Sequence, residues 1–183
     1  MVLRPVLEST RLVLRPFHPD DAADVQRLAG DPRIAEGTAA VPHPYPDGAA
    51  QAWIAGHAAA EEAGREIALA ITDRESGELI GAVSLLNIAP AHHRAELGFW
   101  IGVEFWGRGY CTEAVERLIR FAAEEMGVTK VVGRCFGWNE ASASVMVKAG
   151  LRLEGRLSRH ELQDGEYVDQ LLFGLNLPGR GAH

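Results

Sequence analysis

Cysteine is scarce: Cys111 and Cys135 are the only two in 183 residues. They stand too far apart for a CxxC redox or zinc motif, so reduced thiols in a cytoplasmic protein are the expectation. No stretch approaches the roughly 20 consecutive apolar residues that a membrane helix requires, so no membrane association is expected. Basic charge is not in excess either, with 18 Lys and Arg against 25 Asp and Glu and a formal net charge of -7. That balance argues against nucleic acid or an anionic membrane as the main partner, and it suits a cationic amine. The first residues carry Glu8 and no apolar core followed by a cleavage site, so a secretory signal is not expected. Internal repeats, low-complexity blocks and linkers are also missing.

What is present is ordinary globular material. Hydrophobic residues make up 47% and charged residues 23%, enough to build a core without a metal staple. The length suits one domain, expected over residues 1–177, with 178–183 a short disordered tail.

Periodicity places the elements. Leu12–Leu14 reads as a short strand, and Pro19-Asp20-Asp21 opens a helix to about Gly30. Thr38 to Pro46 reads as a loop. An alanine-rich helix follows over Asp47 to Ala63, with Trp53, Ile54 and Ala58 on one face. Ile67–Thr72 and Leu79–Leu86 are apolar runs joined by a turn-forming link, and Ala95–Ile101 is a third strand after Pro90-Ala91-His92-His93. Residues 112–126 form an amphipathic helix burying Val115, Leu118, Ile119 and Ala122. Its polar side carries Glu113–Arg117 and Glu116–Arg120 at i,i+4. Val131–Phe136 is a strand, Ala141–Ala149 a helix closed by Gly150, and two last strands flank Asp164-Gly165. The sum is an α/β chain with seven strands in a mixed sheet and helices on both faces.

The glycine-rich stretch Gly102–Gly109 invites comparison with phosphate-binding motifs. Gly102 and Gly107 imitate a P-loop, but Arg108 and Gly109 stand where Lys and Ser/Thr are needed. The dinucleotide fingerprint fails too, since Thr112 takes the third glycine position. A tight glycine turn opening a helix remains. Its free N–H groups and helix dipole favour an anion, and a diphosphate is the expected guest; an empty connection is the bland alternative.

A second segment, Asn139-x-x-Ser142 followed by Lys148-x-Gly150-Leu151, comes directly after a strand. Together with Trp106-Gly107-Arg108-Gly109-Tyr110-Cys111 it resembles the two signatures of the GNAT N-acetyltransferase superfamily. Glu8-Ser9-Thr10-Arg11-Leu12-Val13-Leu14-Arg15, Ala95 to Ile101 and Tyr110-Cys111-Thr112-Glu113-Ala114 look like its RimJ/RimL branch. The turn departs from the superfamily pattern at Trp106 and Cys111, though Trp at 106 is familiar in that branch.

The resemblance implies a mostly antiparallel seven-stranded sheet splayed between its fourth and fifth strands, here Ala95–Ile101 and Val131–Phe136. It implies acetyl-CoA as cosubstrate, with no metal. Backbone at Ile101 and Val103 would hold the pantetheine. N–H groups of Arg108, Gly109, Tyr110, Cys111 and Thr112 would hold the pyrophosphate, with Asn139 and Ser142 beside the cofactor path. Catalysis needs a base for the amine, a donor for the oxyanion and a proton for the thiolate. A backbone N–H near Trp100 or Ile101 is the oxyanion candidate. Glu96 is the candidate base, or alternatively a partner for a cation such as Arg94. Ser142 and Cys111 are the candidate proton donors, since Phe136-Gly137-Trp138-Asn139 has no Tyr after the fifth strand. His92 and His93 point opposite ways and read as surface residues. Tyr167 and Asp169 would line the acceptor pocket or merely decorate the sheet, and residues 31–50 would supply its loop. The acceptor implied is a protein N-terminal α-amine. An antibiotic or polyamine is the alternative, and a noncatalytic acyl-CoA sensor a third reading. Many relatives dimerise, which implies a homodimer through the sheet edge or last hairpin.

Overall fold

The computed structural model describes residues 5–163 and 165–179. Asp164 of the expected hairpin turn and residues 180–183 of the expected tail lie outside the described residues.

Eight strands form one sheet in the order β1-β2-β3-β4-β5-β6-β8-β7. They are β1 (Leu7–Glu8), β2 (Leu12–Pro16), β3 (Ile67–Asp73), β4 (Leu79–Ala89), β5 (Arg94–Ile101), β6 (Lys130–Phe136), β7 (Arg152–Gln163) and β8 (Glu166–Asn176). Every neighbouring pair is antiparallel except β5–β6. The count exceeds the expected seven because Leu7 and Glu8 add a two-residue edge strand on β2. So short a strand has no alternation to read.

Five helices cover the sheet: α1 (Ala22–Ala29), α2 (Pro32–Gly37), α3 (Ala49–Glu62), α4 (Tyr110–Glu124) and α5 (Glu140–Lys148). Residues 67–72 of β3 are buried without alternation, which requires cover on both faces. The α1 and α3 helices pack on each other and against β4 and β3, while α4 and α5 pack on each other and against β4–β7. The α4 stripe of Val115, Leu118, Ile119 and Ala122 is buried, joined by Ala114 and Phe121. Its polar side does not close on itself as expected, because Glu113 bonds Ser9 and Arg11 and the Arg117 Nε bonds the Glu8 carbonyl.

Two other expectations change. The α2 helix lies between the expected first helix and the expected Thr38–Pro46 loop, where no element is expected, yet its signal is local: the Asp31 carboxylate accepts from the Arg33 N–H at 3.0 Å, and Pro32 occupies the first turn. On α3 the buried positions are Ala50, Ile54 and His57, and Ala58 is exposed.

His57 is 9% exposed, both ring nitrogens lack a partner, and the ring stacks edge-on to Trp53 at 4.5 Å and near Phe17 at 5.3 Å. Burial pushes its pKa from 6.5 down to about 4. Above pH 6.5 both folded and unfolded chains hold it neutral. Between 6.5 and 4 only the unfolded chain takes the proton, so stability falls with pH across that window, by at most about 3 kcal/mol. Denaturant unfolding at stepped pH is expected to show this slope in the native chain and to lose it in His57→Phe, whose ring keeps the aromatic packing. An unchanged slope in the variant would remove His57 as the cause.

Candidate active site

The parallel pair β5–β6 is bonded over only four residues, from Arg94↔Lys130 to Leu97↔Gly133. Beyond that point Gly98–Ile101 pairs only with β4, and Arg134–Phe136 only with β8. The strands therefore part, leaving backbone groups on both inner edges unpaired across the gap.

A cavity of about 610 Å³ occupies the gap. Its walls include Glu96, Gly98 and Trp100 from one face of β5 and also Leu97 and Phe99 from the other, with Arg134, Cys135 and Phe136 of β6 opposite. Because alternate residues point to opposite faces, lining by both parities means the cavity passes through the sheet. On one side it meets Thr38, Val41, Tyr45 and Trp53 of the α2–α3 region, and at its far wall Ser142 of α5. Gly37 to Pro42, Tyr45 and Ala49 belong to its lining.

The turn before α4 is built from left-handed glycines. Gly107 has φ 75° and Gly109 φ 79°, a region costly for L side chains, and no atom lies within 4 Å of where a Cβ on Gly107 would stand. Gly109 caps α4 without a side chain, and Glu113 is the first residue bonded back to it, at 3.1 Å. The N–H groups of Tyr110, Cys111 and Thr112 are thus left for an anion. Trp106 locks the turn to the strand: its indole Nε1 donates to the Ile101 carbonyl at 2.7 Å and its backbone N–H to the Val103 carbonyl at 3.1 Å. The Arg108 guanidinium folds back onto the Glu104 carbonyl, at 3.1 Å, and over Phe105.

The second motif caps α5. Asn139 Oδ1 accepts the Ser142 N–H at 3.0 Å, and its Nδ2 donates to the Gly37 carbonyl at 3.0 Å, tying α5 to the end of α2. Gly150 takes φ 93° after the helix.

The sequence profile of the acetyltransferase (GNAT) domain matches residues 11–152. The chain belongs to the GNAT acetyltransferase family. It is 27% identical to the uncharacterized N-acetyltransferase YoaA of Bacillus subtilis, over 95% of this chain and 98% of that one. It is 32% identical to the ribosomal-protein-serine acetyltransferase of Escherichia coli, over 52% of this chain and 54% of the relative. Among solved structures, RimL, the ribosomal L7/L12 alpha-N-protein acetyltransferase in complex with coenzyme A, superposes with a TM-score of 0.85. That match has 21% identity and covers 95% of this chain and 97% of RimL. The chain is an acetyl-CoA-dependent N-acetyltransferase, and its relatives include ribosomal-protein acetyltransferases.

Within this GNAT site Glu96 is held by partners the sequence did not suggest. Its Oε1 lies 3.1 Å from Arg134 Nε, and its Oε2 accepts from Asn87 Nδ2 at 3.0 Å. The expected cation, Arg94, neighbours it on the same strand and is exposed at the surface; the actual one stands on the facing strand β6. Tyr167 and Asp169 do not line the cavity. Tyr167 is exposed, under the Arg159 guanidinium. Asp169 sits behind the wall: its carboxylate accepts from the Arg159 N–H at 2.8 Å and Arg156 Nε at 2.6 Å, contacts that hold its pKa below the usual carboxylate range. These bonds pin a bulge in β7, where register shifts between Leu157 and Glu161. The bulge delivers Glu161 to the cavity, a residue that no motif marks. Gln170 beside it is 6% exposed and donates its Nε2 to Glu161 at 3.1 Å. Glu66 is a further cavity carboxylate; burial and then the charge of Glu61 raise its pKa. Burial pushes the Cys111 thiol up to about 12 and the Cys135 thiol up to about 11, so both stay protonated at neutral pH. His92 and His93 are exposed at the turn before β5.

Proposed function

We propose that this chain acetylates the α-amine of a protein N-terminus. The observation that carries the acceptor reading is the charge of the through-sheet cavity. Glu66, Glu96 and Glu161 line it against a single guanidinium, Arg134, which is already paired with Glu96. Such a wall attracts a cationic amine and repels one with a carboxylate alongside, as in a free amino acid. A peptide N-terminus has no such carboxylate. The similarity to the ribosomal-protein-serine acetyltransferase supports a protein acceptor.

In this reading the N–H groups of Arg108 to Thr112 hold the pyrophosphate of acetyl-CoA. The unpaired edge of β5 through Ile101, with Val103, holds the pantetheine as an added strand would be held. The amine enters from the α1–α3 side and meets the thioester in the gap. Glu96, oriented by Arg134 and Asn87, takes the amine proton directly or through water, and the amine nitrogen bonds to the acetyl carbon. A β5 backbone N–H near Trp100 or Ile101 bears the oxyanion. The C–S bond then breaks and the thiolate takes a proton, for which Ser142, in the first turn of α5 at the cavity wall, is the candidate donor.

The test is free-thiol release from acetyl-CoA with a panel of N-terminal peptides, free amino acids and polyamines. Peptides are expected to turn over, with free amino acids at least about tenfold slower in kcat/KM, the effect of one close like-charge contact. Turnover of polyamines alone would overturn the protein-acceptor reading.

A further inference from the structure

Arg11 stands 102 residues from Glu113 in sequence, yet it is bonded to the pyrophosphate turn at three points. Its backbone N–H donates to Glu113 Oε1 at 2.8 Å, its Nε to Glu113 Oε2 at 2.7 Å, and its Nη1 to the Arg108 carbonyl at 2.9 Å. Ser9 Oγ completes the clasp on Glu113 Oε1 at 2.8 Å. Burial raises the Glu113 pKa, but the two Arg11 bonds and the Ser9 hydroxyl more than offset it and leave the carboxyl below its usual range. The clasp is therefore a charged one at neutral pH.

The rest of the guanidinium faces the turn. It lies over the Tyr110 ring, 4.6 Å from its centre, and Nη2 is 3.6 Å from where a Cβ on Gly109 would be. Among the described residues Nη2 has no acceptor. Arg108, the other guanidinium here, is turned back on Glu104. We infer that Arg11 is a coenzyme A-binding residue, which sets the shape of the Gly107–Gly109 turn with its Nε and Nη1 donors and offers its Nη2 to the diphosphate. Resting on the pyrophosphate placement above, this role joins the β1–β2 turn to the cosubstrate site. A guanidinium suits it: Nε and Nη1 are spent on protein oxygens while Nη2 stays free for a phosphate oxygen. The Tyr110 ring beneath adds a cation–π contact to the guanidinium.

The test is calorimetric binding of coenzyme A, and of pantetheine, which has no phosphate, to the wild-type chain, Arg11→Ala and Arg11→Lys. Arg11→Ala is expected to weaken coenzyme A by about 10- to 100-fold, the size of a hydrogen bond to a charged group, and to flatten its salt dependence. Pantetheine binding is expected to stay within twofold, and Arg11→Lys to recover part of the loss. An equal loss for both ligands would reduce Arg11 to a structural clasp and overturn the inference; no loss for either would do the same. If Arg11→Ala does not fold, Arg11→Lys decides, by a loss confined to coenzyme A. Failure of the wild-type chain to bind coenzyme A would instead overturn the pyrophosphate placement itself.

Discussion

Glu96→Gln is expected to lower kcat by about 10²- to 10⁴-fold, the usual size of a lost general base, while leaving coenzyme A binding within twofold. Glutamine keeps the shape of the side chain and an acceptor for Arg134 Nε, so the cavity wall should persist. What is lost is the ability to take a proton. The discriminating readout is a pH series. If Glu96 is the base, raising the pH, which supplies neutral amine from solution, should recover part of the rate in the variant. Unchanged turnover would remove Glu96 from the reaction and leave it as a bridge between β5 and β6. Glu161 would then be the cavity carboxylate to replace next, because its contact is a neutral amide rather than a guanidinium.

The second large effect is expected where sheet and site share one residue. Gly81 of β4 faces Ile101 at the end of β5, beyond the point where β5 and β6 part. A methyl group there would run into the Trp100 carbonyl and lie 2.9 Å from Ile101 Cα. Both are backbone atoms, so no rotamer change relieves the contact and the β5 end must move. Gly81→Ala is expected to cost about 1–3 kcal/mol of stability, the range for overpacking a filled interior. It should also raise KM for acetyl-CoA by about tenfold or more, since Ile101 and Trp100 form the edge proposed to carry the pantetheine and the oxyanion. Chemical denaturation and initial-rate kinetics check the two halves. Loss of stability with an unaltered KM would detach this edge from cosubstrate binding.

The elements governed by short-range rules were legible in the chain. The amphipathic period of residues 112–126 and the glycines at 107, 109 and 150 each depend on atoms a few residues apart. So does the Asp31-Pro32 start of α2, whose signal lies in a stretch where no element is expected. These local features were enough to place the elements and to mark an anion-binding turn, because a diphosphate is held chiefly by backbone geometry that glycine and a helix start encode directly. The fold and the cosubstrate followed from the resemblance of the two motifs to the GNAT superfamily.

Side-chain partners across the sheet were not legible. Arg134 reaches Glu96 only because β5 and β6 run parallel for four residues before separating. Glu161 reaches the cavity through a bulge that Asp169 pins from the neighbouring strand, and His57 rather than Ala58 is buried because Phe17 and Trp53 close over it. Arg11 touches the α4 turn from the other end of the chain. Each of these depends on which strands lie side by side and in what register. Register is set by the packing of the whole sheet, where a shift of one residue would turn every such side chain to the opposite face.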